Sequence, residues 1–293
     1  MDLRAIAMGL IFALIWSSAF TSARIIVEAA PPMASLAVRF AISGIIGIGL
    51  ARILGHSWSL TRAQWRLVVV FGICQNALYL GLNFIAMQWI EAGLAAIIAS
   101  TMPLIVAAAN WGVFRERLPA LGILGLIAGF GGVALIMVQR LSGGVDLLGV
   151  TLGLIAALAL AVATMTVRGA SSGGGSVLMV VGLQMLVGSV ALLPFAVMFE
   201  TWAVIWSWQL VAAFTYTVFA PGLLATWIWF LLVRRIGATR AATFHFLNPF
   251  FGVTIAAMIL GEALTGIDIL GVAIIAGGIL AVQLARAGAA PRR

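Results

Sequence analysis

A chain of 293 residues that is 64% hydrophobic and 8% charged cannot cover itself with water-compatible side chains, because a soluble domain carries about a quarter charged residues. With a mean hydropathy of +1.21, its solvent is the bilayer. A net charge of +8 would suit nucleic acid, but no basic stripe with interleaved aromatics occurs, so that partner is excluded.

A membrane-spanning helix needs about 20 mostly apolar residues. In chain order, ten stretches meet that length, roughly 5–23, 33–54, 66–88, 92–113, 119–139, 147–167, 176–199, 209–233, 238–260 and 266–285. Their connections are short, so the expectation is an all-α membrane protein with no soluble domain. The first stretch, preceded by Arg4, imitates a signal peptide. Its cleavage would leave nine spans and break the repeat described below, so it is expected to remain. The third carries Cys74, the single cysteine, which forms no intramolecular disulfide. "SSGGGS" at 171–176 resembles a phosphate loop only superficially. The chain has no lysine, hence no Walker lysine and no ATP-driven pumping of its own. That stretch reads as a flexible connection.

All sixteen basic residues are arginines. With a cytoplasmic N-terminus, thirteen fall on the cytoplasmic side, Arg24 and Arg140 fall opposite, and Arg39 lies within a span. This positive-inside bias predicts a bacterial inner-membrane protein with both termini in the cytoplasm. The acids Glu28, Glu91, Asp146, Glu200, Glu262 and Asp268 gather at the opposite side. Trp58, Trp65, Trp89, Trp111, Trp202, Trp206 and Trp208 sit near span ends and read as interfacial anchors.

A displacement of 146 lays residues 92–135 on 238–281 without a gap. It places Pro103 on Pro249, Glu116 on Glu262 and Gly131-Gly132 on Gly277-Gly278. A displacement of 144 lays "GLIFAL" at 9–14 on "GLIAAL" at 153–158. The halves 1–143 and 144–293 hold five spans each, and an odd number inverts the second half. Inverted repeats around a central cavity are a transporter architecture.

"IWSSAF" at 15–20, "PPMASLAVRF" at 31–40 and "EAGLAAIIASTMPLI…FRERL…LGILGLIAGFGGVALI" from Glu91 onward resemble, in order, the signatures of the EamA-type drug/metabolite transporters, and the second half repeats them more loosely. The resemblance covers almost the whole chain and leans toward bacterial exporters of aromatic and neutral amino acids. It implies ten spans, two five-helix repeats and export through a central cavity. The second half departs from the pattern: Gln184 stands where the first half has Arg39, so an arginine-dependent role is not duplicated.

Polar residues inside spans should face a cavity or a neighbouring helix. Ser35, Arg39 and Ser43 share one spacing, as do Gln75, Tyr79 and Asn83. Trp16, Ser17, Ser18 and Ser22 cluster in the first span, Ser100 and Thr101 in the fourth, and His245 and Asn248 in the ninth. Tyr216 and Trp227, eleven apart in the eighth span, are expected to share a face. The substrate-binding candidates are therefore Trp16, Ser17, Arg39, Tyr79, Asn83, Ser100, Tyr216, Trp227, His245 and Asn248. Trp229 is assigned to packing against lipid. Arg39 could hold a carboxylate, but the favoured role is binding helix-end carbonyls. Pro103 and Pro249 each free a carbonyl about one turn earlier, where a cavity would satisfy it, so both are candidate hinges.

No carboxylate lies at mid-span to trade a proton for a cationic drug, which favours facilitated diffusion over proton antiport. A nucleotide sugar would demand more intramembrane basic groups than Arg39. A small zwitterion, such as an aromatic or neutral amino acid, fits best. No metal cluster or catalytic dyad is present, so neither an enzyme nor a cofactor or metal site is expected, and no charged ring or carbonyl filter supports a channel. The glycines of the fifth and tenth spans read as packing within one bundle, so a monomer is expected.

Overall fold

The computed structural model describes residues 3–56, 60–167, 177–237, 241 and 243–289. The connection 171–176, Trp58, Arg168, Arg240, Arg292 and Arg293 lie outside the described residues. The described elements are all helical: α1 (Leu3–Ala29), α2 (Pro32–Ile53), α3 (Arg62–Phe71), a first π segment (Gly72–Leu80), α4 (Gly81–Ala86), α5 (Ala92–Ala99), α6 (Met102–Gly112), α7 (Ala120–Ser142), α8 (Leu147–Val167), α9 (Val177–Phe199), α10 (Trp208–Thr217), a second π segment (Val218–Leu224), α11 (Ala225–Ile236), a 3-10 turn (Thr243–Leu247), α12 (Asn248–Leu260) and α13 (Gly266–Ala289). Among the described residues nine helical stretches are long and apolar enough to cross a membrane; a tenth, Phe244–Leu260, is shorter. The ten-helix membrane fold expected from the sequence is thus the one observed.

Some boundaries differ for physical reasons. α1 runs to Ala29 rather than ending near residue 23. Arg24 and Glu28 pair one turn apart at 2.7 Å, which lets the helix carry two charges until the Pro31-Pro32 step stops it. The third span starts earlier, at Arg62, where Thr61 and Gln64 form a reciprocal capping box. Pro103 and Pro249 are not kinks within continuous helices. Each sits in the first turn of the helix that follows a break, α6 or α12, where the missing N–H would have had no partner anyway.

The helices form two compact units, each drawing on both halves of the sequence: Met1–Thr21, Ile90–Val150 and Ile228–Arg293 in the first, Ser22–Trp89 and Thr151–Trp227 in the second. In the first unit α7 packs along α13, and α12 along α5. In the second α2 packs along α9, which also meets the first π segment. Lipid tails are as apolar as leucine, so such pairs are held by close contact and hydrogen bonds rather than by hydrophobic exclusion. Glycine provides the contact. A Cβ on Gly278 would lie 2.6 Å from the Gly125 carbonyl oxygen and 2.6 Å from the Gly129 nitrogen. In the second unit, Gly44 and Gly182 make the corresponding approach between α2 and α9.

Carboxylates tie down helix starts inside each unit. Glu262 accepts the N–H groups of Ala92 and Gly93 at 2.7 and 2.8 Å, and Glu200 accepts those of Met33 and Ala34 at 2.7 and 2.8 Å. Both satisfy donors that a helix start leaves orphaned and place negative charge at the positive end of its dipole. Glu116, the repeat partner of Glu262, is exposed; the positions it would cap by the same displacement, 238 and 239, lie outside the described residues.

Gly278→Val should lower stability by about 3 kcal/mol, the upper part of the overpacking range, because the atoms it would strike are backbone. Gly131→Ala, whose Cβ would meet nothing within 4 Å, should be neutral or slightly stabilising. Thermal unfolding of the purified protein in detergent separates the two.

Candidate functional site

In the first unit, α1, α11, the 3-10 turn and the start of α12 bring four rings together. Phe12 lies with its ring centroid 5.6 Å from Trp16, 4.8 Å from Trp229 and 5.5 Å from His245, and Trp229 lies 5.1 Å from His245. The His245 contacts are edge-on, a preferred arrangement of aromatic pairs. Phe12 and Trp16 are one turn apart on α1, which puts them on one face. The assignment of Trp229 to lipid packing is overturned: its ring is part of this cluster.

Beneath the rings lies a polar string. The Asn248 amide nitrogen is 2.9 Å from His245 Nδ1. The amide donates, so Nδ1 accepts and the imidazole proton sits on Nε2. Ser17 Oγ donates to the Asn248 carbonyl at 3.3 Å. Asn248 Oδ1 is buried and has no hydrogen-bond partner. The break before Pro249 therefore serves to bring a serine, a histidine and an amide together.

The second unit buries a different set. Gln75, Asn76, Tyr79 and Asn83 are all at most 6% exposed. The first three lie on the π segment, whose i→i+5 winding replaces the α spacing that suggested a single stripe. Asn76 donates to the Gln184 carbonyl at 2.9 Å. Asn83, 1% exposed, has neither its amide oxygen nor its amide nitrogen engaged. Buried polar atoms without partners are rare enough that each calls for an explanation. Arg39 donates from Nε to the Thr217 carbonyl at 3.2 Å; this is the backbone-binding role favoured from sequence, but at a change of winding inside a continuous span rather than at a helix end.

Other predicted residues fall elsewhere. Ser100 Oγ donates to the Ala96 carbonyl of its own helix at 2.6 Å, so its hydroxyl is already engaged. Tyr216 and Trp227 are 40% and 45% exposed and belong to neither buried set; the second π segment lies between them and removes the α periodicity that linked them. Two clefts open in the second unit, one of about 690 Å³ at Trp206–Thr215 and one of about 450 Å³ beside Glu28 and Glu200. No predicted site residue lines either. No group of three or more His, Cys, Asp or Glu suited to a metal occurs among the described residues.

Three charged groups of the first unit form one network. Arg140 pairs with Glu91 at 2.8 Å and with Asp268 at 3.1 Å. Asp268, fully buried, also accepts the Thr265 hydroxyl at 2.9 Å and N–H at 3.0 Å. Sequence reasoning placed these groups at one end of the spans but did not join them, since their partners are 49 and 128 residues apart.

Interrupted spans, neutral polar groups buried at the interruptions, and charge held in satisfied pairs describe a multi-pass membrane protein built to handle a small solute. The chain belongs to the EamA-like transporter family, which matches residues 3–138 and again 147–284; it is a membrane transporter. It is 28% identical over 236 residues to the uncharacterized transporter YvbV of Bacillus subtilis, covering 80% of this chain and 77% of that one. It is 25% identical over 291 residues to the uncharacterized inner membrane transporter YedA of Escherichia coli K12, covering 95% and 90%. Protein PecM of Dickeya dadantii is 22% identical over 270 residues, with 92% and 89% covered. A solved crystal structure shares the fold with a TM-score of 0.69 at 20% identity, covering 99% of this chain and 100% of that one.

Arg140→Met strands the buried Asp268 carboxylate and should cost about 3–5 kcal/mol. Glu91→Gln, at a side chain 44% exposed, should cost under about 1 kcal/mol. Detergent unfolding of the two variants checks the difference.

Proposed function

We propose that the protein is an inner-membrane carrier that exports small zwitterionic metabolites, aromatic or neutral amino acids above all, by alternating access. The observation that carries this reading is the partnerless amide of Asn83. It offers one buried donor and one buried acceptor together, the complement of a carboxylate and an ammonium on one small molecule. Asn248 Oδ1 offers a second acceptor, beside rings able to stack on an aromatic side chain or hold an ammonium. Arg39 is engaged by a backbone carbonyl and Asp268 by its own network, so neither of these two buried charged groups is open to select a polyphosphate or a drug cation. This supports cargo of little net charge.

Breaks at Thr101 and Leu247 give spans four and nine places to bend, and Pro103 and Pro249 act as hinges there. With no mid-span acid to carry a proton, transport runs down the cargo's own gradient. The N- and C-termini face the cytoplasm, where the arginines gather. The family assignment supports a carrier rather than an enzyme, and a cofactor-free monomer is part of the proposal.

Counterflow of radiolabelled phenylalanine in proteoliposomes tests the reading, with leucine, glycine and a quaternary amine as competitors. Phenylalanine and leucine should exchange, the quaternary amine should not compete, and an imposed pH gradient should drive no uphill accumulation. Accumulation against a phenylalanine gradient would replace this reading with proton coupling. His245→Ala should lower the exchange rate about tenfold at unchanged expression. Asn83→Leu should raise the half-saturation concentration about tenfold, the loss of one to two buried hydrogen bonds.

A further inference from the structure

The two π segments occupy matching places in the repeat. The displacement of 146 carries α3 (62–71) onto α10 (208–217) and Gly72 onto Val218, the first residues of the two π segments. Over the nine positions of the first segment only Leu78 and Leu224 are identical, so the shared winding does not come from shared side chains. What secures each segment also differs. In the first, Asn76 donates to the backbone of α9 at Gln184. In the second, the donor comes from α2 and carries a full charge.

Pro221 lies within the second segment and lacks the N–H that an α-helix would direct at the carbonyl four residues earlier, that of Thr217. Thr217 is also the last residue before the winding of this continuous span changes from α to π; in i→i+5 winding the N–H aimed at its carbonyl comes from Gly222. Arg39, 5% exposed, donates to that carbonyl at 3.2 Å. Ser43, one turn further along α2, donates its hydroxyl to the next carbonyl, Val218, at 3.3 Å. Among the described residues no carboxylate reaches Arg39; its polar partner is the Thr217 carbonyl. Gly222 leaves the space: a Cβ there would lie 3.0 Å from the Thr217 oxygen and 3.7 Å from Arg39 Nη2.

We propose that Arg39 is a positioning residue for transport: its guanidinium holds the Thr217 carbonyl where the winding changes, fixes the second π segment to α2, and makes no contact with the cargo. A charge on one π segment and a neutral amide on the other gives the two matched spans unequal holds. Arg39 thereby sets how fast the protein turns over, not how tightly it takes its cargo.

Pro221 provides the test, because alanine there supplies the N–H that α winding would direct at the Thr217 carbonyl and so removes the need for the π segment to be held. Hydrogen exchange of amides 218–224 is measured by mass spectrometry on purified wild type, Arg39→Met, Pro221→Ala and the double variant. Arg39→Met should exchange at least tenfold faster, and the double variant should return to within about threefold of Pro221→Ala. In phenylalanine counterflow, which rests on the carrier reading above, Arg39→Met should lose at least tenfold in maximal rate per folded molecule, with half-saturation within twofold. Unchanged exchange in Arg39→Met overturns the proposal, as does a double variant exchanging as fast as the single. A tenfold rise in half-saturation with unchanged exchange would make Arg39 a cargo ligand instead. Should Arg39→Met fail to fold, the double variant is still expected to fold, and its failure overturns the proposal. A wild type that carries no phenylalanine overturns only the cargo assignment; the exchange measurement still decides the role of Arg39.

Discussion

Inside a bilayer no water is available to a backbone group that loses its partner, so every interruption of a spanning helix must be answered from within the chain. This constraint organises the polar contacts of the protein. Helix starts at Met33 and Ala92 are met by Glu200 and Glu262. The change of winding after α10 is met by Arg39 and Ser43. The hydroxyls of Ser100 and Thr101 fold back onto carbonyls of their own span where it breaks. Charged side chains in these spans therefore serve as fittings for the backbone first.

The same constraint makes the exceptions informative. When the surrounding carbonyls, amides and charges are satisfied, a buried amide with both atoms free is out of keeping with the rest, and Asn83 is such a group. Asn248 is a partial case: its nitrogen is committed to His245 and its oxygen is not. An apolar residue at either place would avoid the cost of an unpaired polar group. Under the carrier reading proposed above, both are places where a cargo would make its hydrogen bonds.

Helix pairing follows a complementary rule. Without hydrophobic exclusion between apolar helices in lipid, the closest seams are those where two glycines meet, Gly125 with Gly278 and Gly44 with Gly182. These seams are stiff. The spans that carry π segments, a 3-10 turn or a break hold Gln75, Asn76, Asn83 and Asn248, while the seam helices bury polar residues of their own, such as Arg39, Gln184 and Asp268.

Much of this was legible in the one-dimensional chain. Apolar runs of about twenty residues declared the spans, because the thickness of the hydrocarbon layer fixes that length. The displaced prolines, glutamates and glycine pairs declared a repeat, and His245, Asn248 and Asn83 stood out because polar groups in apolar runs are costly. Only the tertiary structure decided what each polar group touches. Arg39 meets a carbonyl 178 residues away and Arg140 an acid 128 residues away, and no local pattern encodes a partner at that distance. Trp229 was misassigned, and the faces of Tyr216 and Trp227 misjudged, for a related reason: helical periodicity predicts a shared face only while the winding stays α, and the chain changes its winding within these spans. Composition and solvent therefore determined that ten helices form and where their costs lie, while packing between distant helices determined how each cost is met.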